Sequence, residues 1–142
     1  MSQAFVKEGD AGDDLPERPL SEEPNYVTPQ GLQELREKVS SLLGKKTPEA
    51  ERDLRYFQAR LDSAIVVEHR QSVPDDVRFG AEVEVQDGGT LQRFAIVGED
   101  EAAPEAGKLA WCSPLARALL GAKPGDARDF GERRLQVLSV RY

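Results

Sequence analysis

Two Thr-Pro pairs, Thr28-Pro29 and Thr47-Pro48, stand nineteen residues apart, and each opens a run with helical apolar spacing. Threonine suits the N-cap and proline the first helical position, where its missing N–H costs nothing. After the first pair, Leu32, Leu35, Val39 and Leu42 recur at spacings of 3, 4 and 3, an a/d seam. After the second, Ala50, Leu54, Phe57, Leu61 and Ala64 repeat the pattern. Gly44 is placed to stop the first helix, and only Lys45 and Lys46 separate it from Thr47. So short a connection makes the helices antiparallel neighbours that bury each other's seams. At ~1.5 Å per residue the first helix, of about 15 residues, is roughly 22 Å long.

Downstream of residues 69–76, expected as a linker, the period changes from helical to alternating. Phe79, Ala81, Val83 and Val85 read as a half-buried strand, and Asp87-Gly88-Gly89 as a hairpin turn into a second strand, Leu91 to Val97. An acidic loop fills 98–107. Lys108 to Cys112 reads as a third strand. Ser113 as N-cap and Pro114 as first residue open a short helix that presents Leu115, Leu119 and Ala118 to the sheet and stops at Gly121. Strands near 127–130 and 134–141 end the chain. The fold class expected is α+β: a short antiparallel helical hairpin, then an antiparallel sheet with one short helix.

Charge divides the 142 residues unevenly. Residues 1–24 hold seven acids and two bases, with Pro16, Pro19 and Pro24, and read as a disordered acidic tail. The remainder holds 19 acids and 17 bases, a near-neutral balance that argues against a dedicated or sequence-specific DNA-binding face. Cys112 is the single cysteine, so no intrachain disulfide forms. No signal-peptide pattern and no run near the ~18 apolar residues of a membrane span is present, and a cytoplasmic protein is expected. His69 is the single histidine. No metal site, cofactor or catalytic residue is expected, since a zinc site needs several such ligands.

Several segments, in order, resemble the C-terminal domain of the GreA/GreB family of bacterial transcription elongation factors: Phe79-Gly80-Ala81, Ile96-Val97-Gly98-Glu99-Asp100-Glu101-Ala102, Gly107-Lys108, Ser113-Pro114-Leu115-Ala116-Arg117-Ala118-Leu119 and Gly125-Asp126. Tyr26 to Leu32 and Leu61 to Val67 resemble the two ends of the family's helical hairpin. The resemblance implies an FKBP-like sheet domain over 77–142 and a coiled-coil hairpin over 25–68. It implies bacterial RNA polymerase as partner, bound at the rim of the secondary channel. It places the contacts at Cys112, Ser113 and Pro114, with Asp100 and Glu101 in the family's acidic loop.

In the family the hairpin carries acids at its tip that help hold a metal ion in the polymerase active site and promote transcript cleavage, a chemistry the polymerase performs. Here the tip reads Gly44-Lys45-Lys46-Thr47-Pro48-Glu49, and a lysine pair has no lone pair to offer a metal while charged. In its shortened hairpin the chain resembles the Rnk-type relatives. The expectation is a non-enzymatic polymerase-binding regulator that does not stimulate cleavage. Two alternatives stand beside it. One is an active cleavage factor using Glu49 and Asp53, which share a helix face. The other is an FKBP-like prolyl isomerase or peptide-binding chaperone, with a pocket drawn from Phe79, Phe94, Trp111, Phe130 and Tyr142.

Overall fold

The computed structural model describes residues 15–142. Both Thr-Pro pairs act as expected. The Thr28 hydroxyl accepts the amide of Gly31, and α1 runs Pro29–Leu42. The Thr47 hydroxyl accepts the amide of Ala50, and α2 runs Pro48–Ser63. Leu35, Val39 and Ala50 are the buried members of the facing seams, while Leu32, Leu42, Leu54, Phe57 and Leu61 are half-buried. An α1 of 14 residues is about 21 Å long.

The hairpin is tied at its base in a way the sequence pattern did not indicate. Tyr26–Val27 (β1), just before α1, pairs in parallel with Ile65–Val66 (β2), just after α2, in the register Tyr26↔Ile65 and Val27↔Val66. The amide of Ile65 donates to Asn25 and that of Val67 to Val27.

The sheet is five-stranded: β3 Glu82–Asp87, β4 Thr90–Val97, β5 Lys108–Ala110, β6 Ala127–Phe130 and β7 Arg133–Arg141, in spatial order β5-β4-β3-β7-β6. Three of its pairings are antiparallel, as expected, and one, β4 with β5, is parallel, which the strand pattern did not indicate. The connection 98–107 holds two 3-10 turns, Glu99–Glu101 and Pro104–Ala106, and carries the chain back to start β5 beside the start of its β4 partner segment. β5 also ends at Ala110 rather than Cys112, because Trp111 makes the last ladder bond, to Val97, and Ser113 turns back to Ala110. The helix α3 spans Pro114–Leu119.

Alternation on β3 and β7 buries Val83, Val85, Leu135 and Val137. Ile96, Leu109, Leu119, Ala116 and Ala122 close the core from β4, β5 and the α3 region. Ala116, not Ala118, joins Leu119 in the core, and Ala118 is half-buried. Fully burying an Ile, Leu or Val side chain stabilises by about 1.5–3 kcal/mol.

The tail expected over 1–24 lies outside the described residues up to residue 14. From Leu15 to Pro24 the backbone has no helix or strand, yet three of its charged side chains are paired with the folded part. Glu17 takes two bonds from Arg55, at 2.9 and 2.6 Å. Arg18 lies over the Tyr56 ring at 4.0 Å and meets Asp53 at 3.4 Å. Glu23 meets Arg117 of α3 at 3.2 Å. These ten residues therefore form a strap from the tip-proximal half of α2 to Arg117 of α3. Its composition looks like that of a tail because its contacts are ionic rather than apolar.

Candidate partner-docking turn and hairpin tip

The tip is a cationic turn. Gly44 takes φ +83°, which a side chain disfavours, and the Lys45 amide donates to Leu42 at 3.2 Å. Lys45 and Lys46 are both exposed, as is Leu43. The nearest acids follow in α2. Glu49 and Glu51 are exposed in its first turn, where the partial positive charge of a helix start favours them. Asp53, paired on paper with Glu49, is instead held by Arg52 at 3.1 Å and by Arg18 at 3.4 Å. Among the described residues no group of His, Cys, Asp or Glu is arranged to hold a metal ion.

Asp100 and Glu101 occupy the joint between the hairpin and the sheet. Both Asp100 oxygens are engaged, one by the Tyr56 hydroxyl and the other by Arg60 Nε, each at 2.6 Å. Arg60 is buried, 3% exposed, and its Nη2 also donates to Asn25 Oδ1 at 2.7 Å. Asn25 returns Nδ2 to the Arg60 carbonyl at 2.7 Å. Glu99 stands 3.8 Å from the same guanidinium. Burial and the Asp100 carboxylate push the Tyr56 phenol up to about 12. Glu101 reaches across to the start of α1, where it accepts the Thr28 amide at 3.1 Å and the Thr28 hydroxyl, and it also accepts the Gly98 amide at 3.1 Å. These two acids thus serve the chain's own architecture.

The turn Cys112-Ser113-Pro114 lies on the surface beside this joint. Pro114 is exposed, while Cys112 and Ser113 are half-buried. Ser113 stands at the N-cap position, and its carbonyl accepts the Arg117 amide at 2.9 Å. Its hydroxyl does not cap α3, contrary to expectation. The oxygen is turned inward and buried, and it meets no partner among the described residues. The side chain of Arg117 folds back instead, donating from Nε to the Cys112 carbonyl at 2.8 Å and from Nη2 to Glu23 at 3.2 Å. Burial, and next the Glu99 charge, raise the Cys112 thiol above its ordinary range, so it is a poor nucleophile.

The aromatic side chains are divided. Phe79 and Trp111 gather around Tyr26, with ring centroids 6.0 and 5.1 Å from it, and line an open cavity with Leu120 and Val77. Phe94 and Phe130 pack against the core, and Tyr142 donates its hydroxyl to the Asp76 carbonyl. His69 docks on the sheet domain, with Nε2 2.9 Å from the Phe79 carbonyl and its ring edge-on to Tyr142. The five expected pocket residues therefore do not converge.

The structure adds residues that sequence reasoning missed: Asn25, Tyr56, Arg60, Glu23 and Arg117. Tyr56 and Arg60, four apart on one face of α2, were the available signal. The acid they share is 40 residues beyond Arg60, and nothing local announces it.

Residues 71–142 match the family described as Transcription elongation factor, GreA/GreB, C-term. Transcription elongation factor GreB of Neisseria meningitidis serogroup B is 31% identical over 157 aligned positions, covering 86% of this chain and 96% of that protein. Because 86% of 142 residues is about 122, about 35 of those positions have no residue here. Transcription elongation factor GreB of Xanthomonas axonopodis pv. citri is 38% identical over 104 residues, covering 69% of this chain and 62% of that protein. A solved structure of an elongation factor GreA/GreB from Nitrosomonas europaea overlays on 83% of this chain and 99% of its own, at 21% identity and a TM-score of 0.45. No described helix is long and apolar enough to cross a membrane.

Proposed function

The chain belongs to the GreA/GreB family of transcription elongation factors, and from that premise we propose that it binds bacterial RNA polymerase and modulates elongation without stimulating transcript cleavage. In this reading the Cys112-Ser113-Pro114 turn docks on the rim of the secondary channel, and the hairpin enters as a stub. The observation that carries it is the tip: Lys45 and Lys46 stand exposed at the end of an α1 only 14 residues long. A charged ammonium offers no lone pair to a metal ion. Asp53 does not replace the lost acids, because Arg18 and Arg52 already neutralise it.

Two measurements test the proposal together: binding to core polymerase, and cleavage of RNA in backtracked elongation complexes. Binding with no cleavage above the polymerase's own rate is the expected result. Strong stimulation of cleavage would defeat the second half of the proposal, and absence of binding would defeat the first.

A further inference from the structure

We propose that Arg117 is a carboxylate-binding contact of the docking face, and that Glu23 of the strap occupies it until an acidic side chain of the partner takes its place. This rests on the reading that the Cys112-Ser113-Pro114 turn docks on polymerase.

The guanidinium is preset for such a ligand. Nε is committed to the Cys112 carbonyl at 2.8 Å, which holds the group against the docking turn. Nη2 is left to face outward, and there it meets Glu23 at 3.2 Å. A guanidinium with one edge fixed presents its remaining donors in the geometry a carboxylate accepts. The chain itself shows which chemistry the position takes, because the group it supplies is a carboxylate.

Glu23 is easily displaced, although the strap is not. The Arg117 and Glu23 side chains are 55% and 43% exposed, and one hydrogen bond joins them. Pairs of that kind are worth little in water. The strap is anchored elsewhere, by two bonds from Arg55 to Glu17 and by Arg18 over Tyr56. Just beyond Glu23 it is held again by the buried pairing of Asn25 with Arg60. Glu23 can therefore swing off Arg117 without unfastening the segment that delivers it. In the free protein it screens Arg117 from unselected anions. In the complex a better-placed carboxylate replaces it.

The test is the affinity of the full chain for core polymerase, at low and high salt, for four proteins: unmodified, E23Q, R117Q and the double variant. E23Q should bind about three- to fivefold more tightly at low salt, with the gain shrinking as salt rises. R117Q should bind more weakly, and E23Q should add nothing in its background. E132Q, which removes an exposed acid of the β6–β7 turn far from the strap, should leave affinity unchanged and serves as the control for net charge. An E23Q affinity equal to or weaker than the unmodified chain's, or a gain that persists in the R117Q background, overturns the inference. Failure of the unmodified chain to bind at all removes the docking reading and this inference with it.

Discussion

Arg60 of α2 and Asp100 of the turn after β4 meet at 2.6 Å, with the guanidinium side chain only 4% exposed. This pair crosses from the hairpin to the sheet domain. Removing one partner of a buried ion pair costs more than the pair contributes, because the survivor is left desolvated and unpaired. Asp100→Asn should therefore destabilise the protein by about 3 kcal/mol in urea unfolding. Arg60→Met should cost a similar amount. The double variant should cost clearly less than the two together, since both remove one interaction.

Glu101 closes the other side of the joint, where one carboxylate serves the amides of Thr28 and Gly98. Glu101→Ala leaves both donors without an acceptor, at a cost of about 1–3 kcal/mol. Amide hydrogen exchange should show the loss locally, with faster exchange at Thr28 and Gly98 and little change in the β3–β7 ladder.

Gly98 is needed for space rather than for an unusual backbone angle. A Cβ there would lie 2.4 Å from the Tyr26 carbonyl oxygen and 3.0 Å from the Glu101 carboxylate. Gly98→Ala must push β1 away, and overpacking of this kind costs about 1–3 kcal/mol. Gly89 has nothing within 4 Å of its Cβ position. Gly89→Ala should shift stability by less than about 0.5 kcal/mol. Equal effects at the two positions in thermal unfolding would contradict the close approach.

Tyr56 sets a pH dependence at the alkaline end. Its folded value is about 12 against an ordinary 10, so between these values the folded state keeps a proton that the unfolded state has lost. Its contribution to stability is complete below pH 10 and disappears as pH rises through 12. Absorbance titration of tyrosinate should show a late-titrating phenol that is missing in Tyr56→Phe. Tyr142 is also raised, by burial, which makes the difference between the two proteins the quantity to read.

The hairpin was legible because its signals are local: a cap, a first-position proline and a seam, all within a few residues. The joint was not. Arg60 sits between the seam residues Phe57 and Leu61, and nothing in its local sequence marks it as buried. Only the folded chain brings Asn25 and Asp100 to it. Strand direction failed for a related reason. Lys108–Ala110 is three residues long, and its pairing is decided by the path of the preceding connection, not by its own alternation. At Ser113 the residue type predicted the N-cap position correctly, but the side-chain rotamer, which decides whether the hydroxyl caps, depends on neighbours from outside the turn.

The two-residue pairing of β1 with β2 makes the hairpin a closed module whose length is independent of its mounting. Tyr26↔Ile65 and Val27↔Val66 fix both ends of the helical pair at the base, and the bonds to the sheet domain from Thr28, Tyr56 and Arg60 lie within two or three turns of that tie. Adding or removing seven residues in each helix would preserve the seam and change the reach by about 10 Å. The joint would not register the change. Selection can thus telescope the arm in heptad steps while the joint that carries it stays as it is.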